Sequence, residues 1–209
     1  MTRPLLFLLG AAVVGTVLAT PLAAISQTDA SGGQSVQKIA ASICAACHGL
    51  AGNSTSPLFP KLAGQNEAYL ATQLRAFKAK TRGEQDAHDY MWGMAALVND
   101  STIDELAHYY ASQKPAPGVP GNPELMARGK LLFENGDAKR SIVACATCHG
   151  KAAEGGTAFP RLAGQHSAYV ARQLGAIQEE ARASPVMHGV IKGLDPGEIR
   201  AIAEYVQSL

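Results

Sequence analysis

The sequence predicts an all-α protein made of two tandem helical domains related by internal duplication. Three observations carry this. The pentapeptide Cys-x-x-Cys-His occurs twice, as Cys44-Ala45-Ala46-Cys47-His48 and Cys145-Ala146-Thr147-Cys148-His149. The segment Phe59-Pro60-Lys61-Leu62-Ala63-Gly64-Gln65 returns as Phe159-Pro160-Arg161-Leu162-Ala163-Gly164-Gln165, displaced by 100 positions. Apolar residues in both halves recur at helical spacing, without convincing strand alternation.

The repeat extends well past those segments. Ala68-Tyr69 and Gln73-Leu74 match Ala168-Tyr169 and Gln173-Leu174 at the same displacement, which then falls to 96 and pairs Met91 with Met187, Gly93 with Gly189 and Tyr109 with Tyr205. A period of that length far exceeds a solenoid unit and implies two copies of one fold. The domains are expected at 27–114 and 122–209, joined by the Pro/Gly-rich linker 115–121, which should run extended.

Within each copy the helices follow from apolar stripes and caps. Leu70, Leu74 and Phe77 fall at i, i+4 and i+7, and Val170, Leu174 and Ile177 repeat the stripe, as a helix with one core-facing side requires. The last helix of the second copy should start at Asp195 as N-cap, with Pro196 at N1 and Glu198 at N3. Its counterpart begins around 99–102 and carries Ile103, Leu106 and Tyr110 on one face. Asn122-Pro123-Glu124 opens a further helix that Gly136 closes.

Composition narrows the function classes. The 209 residues are 47% hydrophobic and 17% charged, with a formal net charge of +1. That suits a globular core and points to neither a nucleic acid nor an acidic membrane surface as partner. Arg3, the apolar stretch 5–18 and the small residues Ala23 and Ala24 read as an export signal spanning 1–26, cleaved after Ala24 or Ser26. The expected compartment is the periplasm. Left uncleaved, the segment would anchor the chain; partners offer another route to the membrane.

The chemistry lies in the pentapeptides. Two thiols at this spacing can add across the vinyl groups of a haem while the adjacent histidine reaches its iron. Together the two copies use Cys44, Cys47, Cys145 and Cys148, all four cysteines of the chain. Two covalently attached haem c groups follow, with His48 and His149 as the ligands fixed by the short tether. A zinc site would place its second ligand pair much closer in sequence.

The remaining iron ligand should come from late in each copy. A thioether is neutral and soft and favours ferrous iron. Met187 is the only methionine after the second pentapeptide. The first copy offers Met91 and Met94; alignment with Met187 and the shared Met-x-Gly pattern select Met91, with Met94 the alternative. His88 and His188, beside these methionines, and His108 and His166 are expected at the surface. Trp92 is expected to cover a haem edge.

The two pentapeptides, the two Phe-Pro-x-Leu-Ala-Gly-Gln segments and the two late methionines resemble the cytochrome c4 family of dihaem c-type cytochromes. The resemblance covers essentially the whole chain after the leader. It implies two class I cytochrome c domains packed about a pseudo-twofold axis. It also implies that the carbonyls of Pro60 and Pro160 accept the ring N–H of His48 and His149. Filled coordination at both irons leaves no open position for a substrate. The expected function is electron carriage, one electron per haem, from a quinol-oxidising bc1-type complex toward a terminal oxidase. A dedicated electron-accepting subunit of a sulfide or alcohol dehydrogenase or of an oxidase is the alternative. A dihaem enzyme, either a peroxidase or a thiosulfate dehydrogenase, needs an open or unusual iron ligand that the sequence does not supply.

Overall fold

A computed structural model describes residues 35–156 and 159–209; the expected leader lies outside them. The first copy opens with α1 (Val36–Ile39), continues through a π-turn (Ala40–Cys44) and reaches α2 (Ala45–His48). Then come α3 (Glu67–Lys78), a second π-turn (Ala87–Met91), α4 (Trp92–Ala96) and α5 (Asp100–Ala111). The second copy holds α6 (Pro123–Asn135), α7 (Ala146–His149), α8 (Ser167–Gln178), α9 (Pro185–Ile191) and α10 (Pro196–Gln207). Among the described residues the only β pairing is two isolated bridges, Arg82 with Arg182 and Asp137 with Ile142.

Helix bounds reproduce the sequence displacements. α3 and α8 are offset by 100, and α5 and α10 by 96. The caps form where the sequence places them. Asn99 accepts from Thr102 N at 2.8 Å, and Asn122 accepts from Leu125 N at 3.0 Å ahead of Pro123. Asp195 and Glu198 close a reciprocal capping box at the start of α10, both bonds 2.9 Å. Each cap satisfies backbone N–H groups that the first helical turn leaves without partners.

The helical stripes meet in two cores. In the second copy Phe133 of α6 packs with Ile199, Ile202 and Val206 of α10 and with Val170 and Ile177 of α8. In the first, Ile103, Leu106, Ala107 and Tyr110 of α5 are buried against α3 and the opening helical segment. Phe77 departs from its expected role: its ring lies 4.2 Å from the Arg82 guanidinium, half-buried, so it covers a cation.

Where α6 crosses α10, the two backbones touch. A Cβ on Gly129 would fall inside the carbonyl of Ala201, and neither helix can retreat without opening the Phe133 core. Gly129→Ala should therefore lower stability by about 1–3 kcal/mol through overpacking, whereas Lys130→Ala, on the exposed side, should stay within about 0.5 kcal/mol. Urea unfolding of the haem-loaded protein measures the difference.

Candidate haem sites and the surface between them

Each pentapeptide forms one short helical turn, so the cysteines and histidine at i, i+3 and i+4 share a side. The turn stops at Gly49 and Gly150, whose φ values of 74° and 81° favour glycine. His48 and His149 are then buried, at 7% and 5% exposure, whereas Cys47 and Cys148 are exposed and Cys44 and Cys145 half-buried.

Both histidines face a proline carbonyl. His48 Nδ1 lies 2.9 Å from Pro60 O, and His149 Nδ1 lies 3.0 Å from Pro160 O. A carbonyl only accepts, so each Nδ1 carries the proton and each Nε2 keeps its lone pair. Burial pushes both imidazoles below their ordinary pKa, against a smaller opposing effect of the proline carbonyls. The rings are thereby held neutral, as iron ligands must be. Phe59 and Phe159 fix the ring planes from the edge, each with centroids 6.2 Å apart, at 64° and 65°. Burial also raises the Cys145 thiol to about 11 and shifts Cys44 in the same direction.

These residues fit a covalently tethered haem: paired thiols on one turn, and beside them a neutral imidazole with one nitrogen committed and one free. The methionines differ in placement. Met91 ends the second π-turn, half-buried; Met187 sits in α9, half-buried against the second core; Met94 is 47% exposed. Trp92 donates its indole N–H to Arg82 O at 2.9 Å and lies under Lys80, 5.6 Å from the ring centroid.

The other histidines divide. His88 and His108 are exposed and pair with Asp89 and Glu67 at 2.9 and 3.0 Å. His166 and His188 are not the surface residues expected. His166 stands at the N-cap position of α8 without a side-chain capping bond, and its Nε2 meets Ser54 O of the other copy at 2.9 Å, with burial pushing its pKa down. His188 is half-buried, its Nδ1 3.1 Å from Ile177 O.

The surface between the copies is built from polar side chains at equivalent repeat positions. Gln65 donates to Arg161 O at 2.9 Å and accepts from Arg161 N at 2.7 Å; Gln165 donates to Lys61 O and accepts from Lys61 N, both at 2.9 Å. The reciprocity makes the relation pseudo-twofold. Arg82 and Arg182 lie side by side, both buried, with the Gln173 carbonyl accepting from each at 2.7 Å. Gln73 also accepts from both, at 2.9 and 3.0 Å, and Arg182 reaches Tyr69 Oη at 2.7 Å. Among the described residues the only acid hydrogen-bonded to this arginine pair is the buried Glu84, bound to Arg82; Ser184 holds the equivalent place in the second copy.

Sequence comparison agrees with this architecture. The Cytochrome c family model matches twice, at residues 34–114 and 126–209, so the protein is a tandem pair of cytochrome c domains. Cytochrome c4 of Azotobacter vinelandii is 40% identical over 192 residues, covering 87% of this chain and 89% of its own. The crystal structure of reduced recombinant cytochrome c4 from Pseudomonas stutzeri superposes with a TM-score of 0.75 at 36% identity, covering 83% and 96% of the two chains. A thiosulfate dehydrogenase electron acceptor of Thiomonas intermedia is 37% identical over 176 residues, covering 79% and 78%. The chain belongs to the cytochrome c4 family, dihaem electron carriers with one covalently bound haem c in each domain.

Glu84 is paired with Arg82 and its charge also acts on the neighbouring Arg182, so Glu84→Gln leaves the buried Arg82 guanidinium without its counter-charge. A loss of about 3–5 kcal/mol is expected, read as a lower urea midpoint with the haem spectrum unchanged before unfolding.

Proposed function

We propose that this chain carries electrons in the periplasm, with His48 and Met91 on one haem iron and His149 and Met187 on the other. The observation that carries the reading is the matched pair of histidines, each with Nδ1 spent on a proline carbonyl and Nε2 free, beside two exported-type attachment motifs. When bound, each haem supplies an iron that changes by one electron. The chain's own residues do the rest. Cys44 with Cys47 and Cys145 with Cys148 tether the ring and set its orientation. His48 and His149 donate through Nε2, while the carbonyls of Pro60 and Pro160 hold the ring planes and raise ligand basicity. The thioethers of Met91 and Met187 close the last position and favour the ferrous state. A closed, unchanging ligand set suits a carrier, because little rearranges when an electron arrives.

Register favours Met91 over Met94: Met91 pairs with Met187 at the displacement of 96 and shares its Met-x-Gly pattern. No helix among the described residues is long and apolar enough to cross a membrane. The proposed leader is cleaved in the region 24–26. The domain limits proposed are 27–114 and 122–209.

The proposed route runs from a quinol-oxidising bc1-type complex to a terminal oxidase. A second reading has a specific support: the Thiomonas intermedia relative is a thiosulfate dehydrogenase electron acceptor, so this chain would take electrons from such a dehydrogenase. Stopped-flow reduction separates the two. Fast reduction by a bc1-type complex and none by a thiosulfate dehydrogenase supports the first; the reverse supports the second.

The ligand assignment has its own test. The near-infrared methionine-to-ferric-iron band of the wild type should have the intensity of two thioether-ligated haems. Met91→His and Met187→His should each remove half of it and lower one potential by a sizeable part of the roughly 0.8 V that axial ligands span. Met94→Leu should leave band and potentials unchanged. Loss of the band in Met94→Leu would overturn the choice of Met91.

A further inference from the structure

The peptide unit that holds each histidine is shared with the opposite domain. Pro60 O accepts from His48 Nδ1 at 2.9 Å, and the N–H of the same peptide, on Lys61, donates to Gln165 Oε1 at 2.9 Å. In the other copy Pro160 O accepts from His149 at 3.0 Å, and Arg161 N–H donates to Gln65 Oε1 at 2.7 Å. Both glutamines are buried at 8% exposure, and each amide N–H₂ returns to the carbonyl of the residue it engages, Lys61 or Arg161. Each chain of bonds therefore runs from an imidazole, through one peptide, to a side chain of the other domain.

We infer that Gln65 and Gln165 are crossed positioning residues: Gln165 tunes the haem ligated by His48, and Gln65 the haem ligated by His149. The inference rests on the ligand reading above. A peptide whose N–H is donated to a good acceptor has more negative charge on its oxygen, because hydrogen bonds in series polarise one another. A more negative Pro60 oxygen draws the His48 Nδ1 proton and gives the imidazole more anionic character. An anionic ligand stabilises ferric over ferrous iron and lowers the potential. Gln165 thus holds down the potential of the first haem, and Gln65 that of the second. Lys61 fastens one side further, its Nζ 2.6 Å from Gly164 O, so the two relays are alike in pattern but differ in surroundings.

The test is an NMR-monitored redox titration of the haem-loaded protein, with haem methyl resonances assigned to each domain. Gln165→Leu should raise the potential of the His48 haem and leave the His149 haem in place; Gln65→Leu should do the converse. One cooperative step implies a change of roughly twofold in the ferrous-to-ferric ratio at fixed potential. At ~59 mV per tenfold for one electron this is about 18 mV. The His48 Nδ1 proton should move upfield only in the Gln165 variant. Gln165→Asn keeps the amide but cannot span the gap, and should act in the same direction if the leucine variant folds poorly. A shift confined to the variant's own domain, an equal shift at both haems, or no shift overturns the relay. A wild type lacking the methionine-to-iron band, or with an iron not bound by His48 or His149, overturns the ligand reading instead.

Discussion

One peptide unit in each domain has two tasks, and the rest of the structure is arranged around them. The bond between Pro60 and Lys61 offers its carbonyl to His48 and its N–H to Gln165; that between Pro160 and Arg161 does the same for His149 and Gln65. The carbonyl and the N–H of that one peptide point to opposite sides, the carbonyl to the histidine of its own domain and the N–H to the glutamine of the other. The glycines at 49 and 150 end the pentapeptide turns and bury the imidazoles, and Phe59 and Phe159 fix the ring planes.

The contact between the domains is polar where an apolar one would serve stability better. Buried hydrogen-bonded side chains are costly to desolvate, and their net contribution is small beside hydrophobic packing. What a satisfied network does supply is a single register. Two apolar faces can slide by an ångström at little cost, whereas two glutamines each making a donor and an acceptor bond to the opposing backbone cannot. The arginine pair bridged by Gln73 and Gln173 imposes the same discipline at a second place. The register set by these bonds holds the two domains, and with them the two attachment sites, in one arrangement.

Much of this was legible in the sequence. The offsets of 100 and 96 locate α3 with α8 and α5 with α10, and the caps at Asn99, Asn122 and Asp195 fall on their residues because local capping chemistry decides helix starts. The domain surface was not legible, for a physical reason. Helical periodicity says which side of a helix is buried, not what it is buried against. Gln73 and Gln173, embedded in apolar stripes at the same place in both copies, were the available signal, since an amide kept at a core position needs a partner. His166 escaped for the same reason: its partner, Ser54 O, lies 112 residues away in the chain. Arg82 and Arg182 look like solvated loop cations until the second copy is set against the first.

The most direct test of the shared peptide is amide hydrogen exchange at Lys61 and Arg161 in the haem-loaded protein. Both lie outside helices, where exchange is ordinarily fast. Protection comparable to the core of α5 and α10, lost at Lys61 in Gln165→Leu and at Arg161 in Gln65→Leu, is the result predicted. Fast exchange at either amide in the wild type, or protection indifferent to the opposite glutamine, would contradict it.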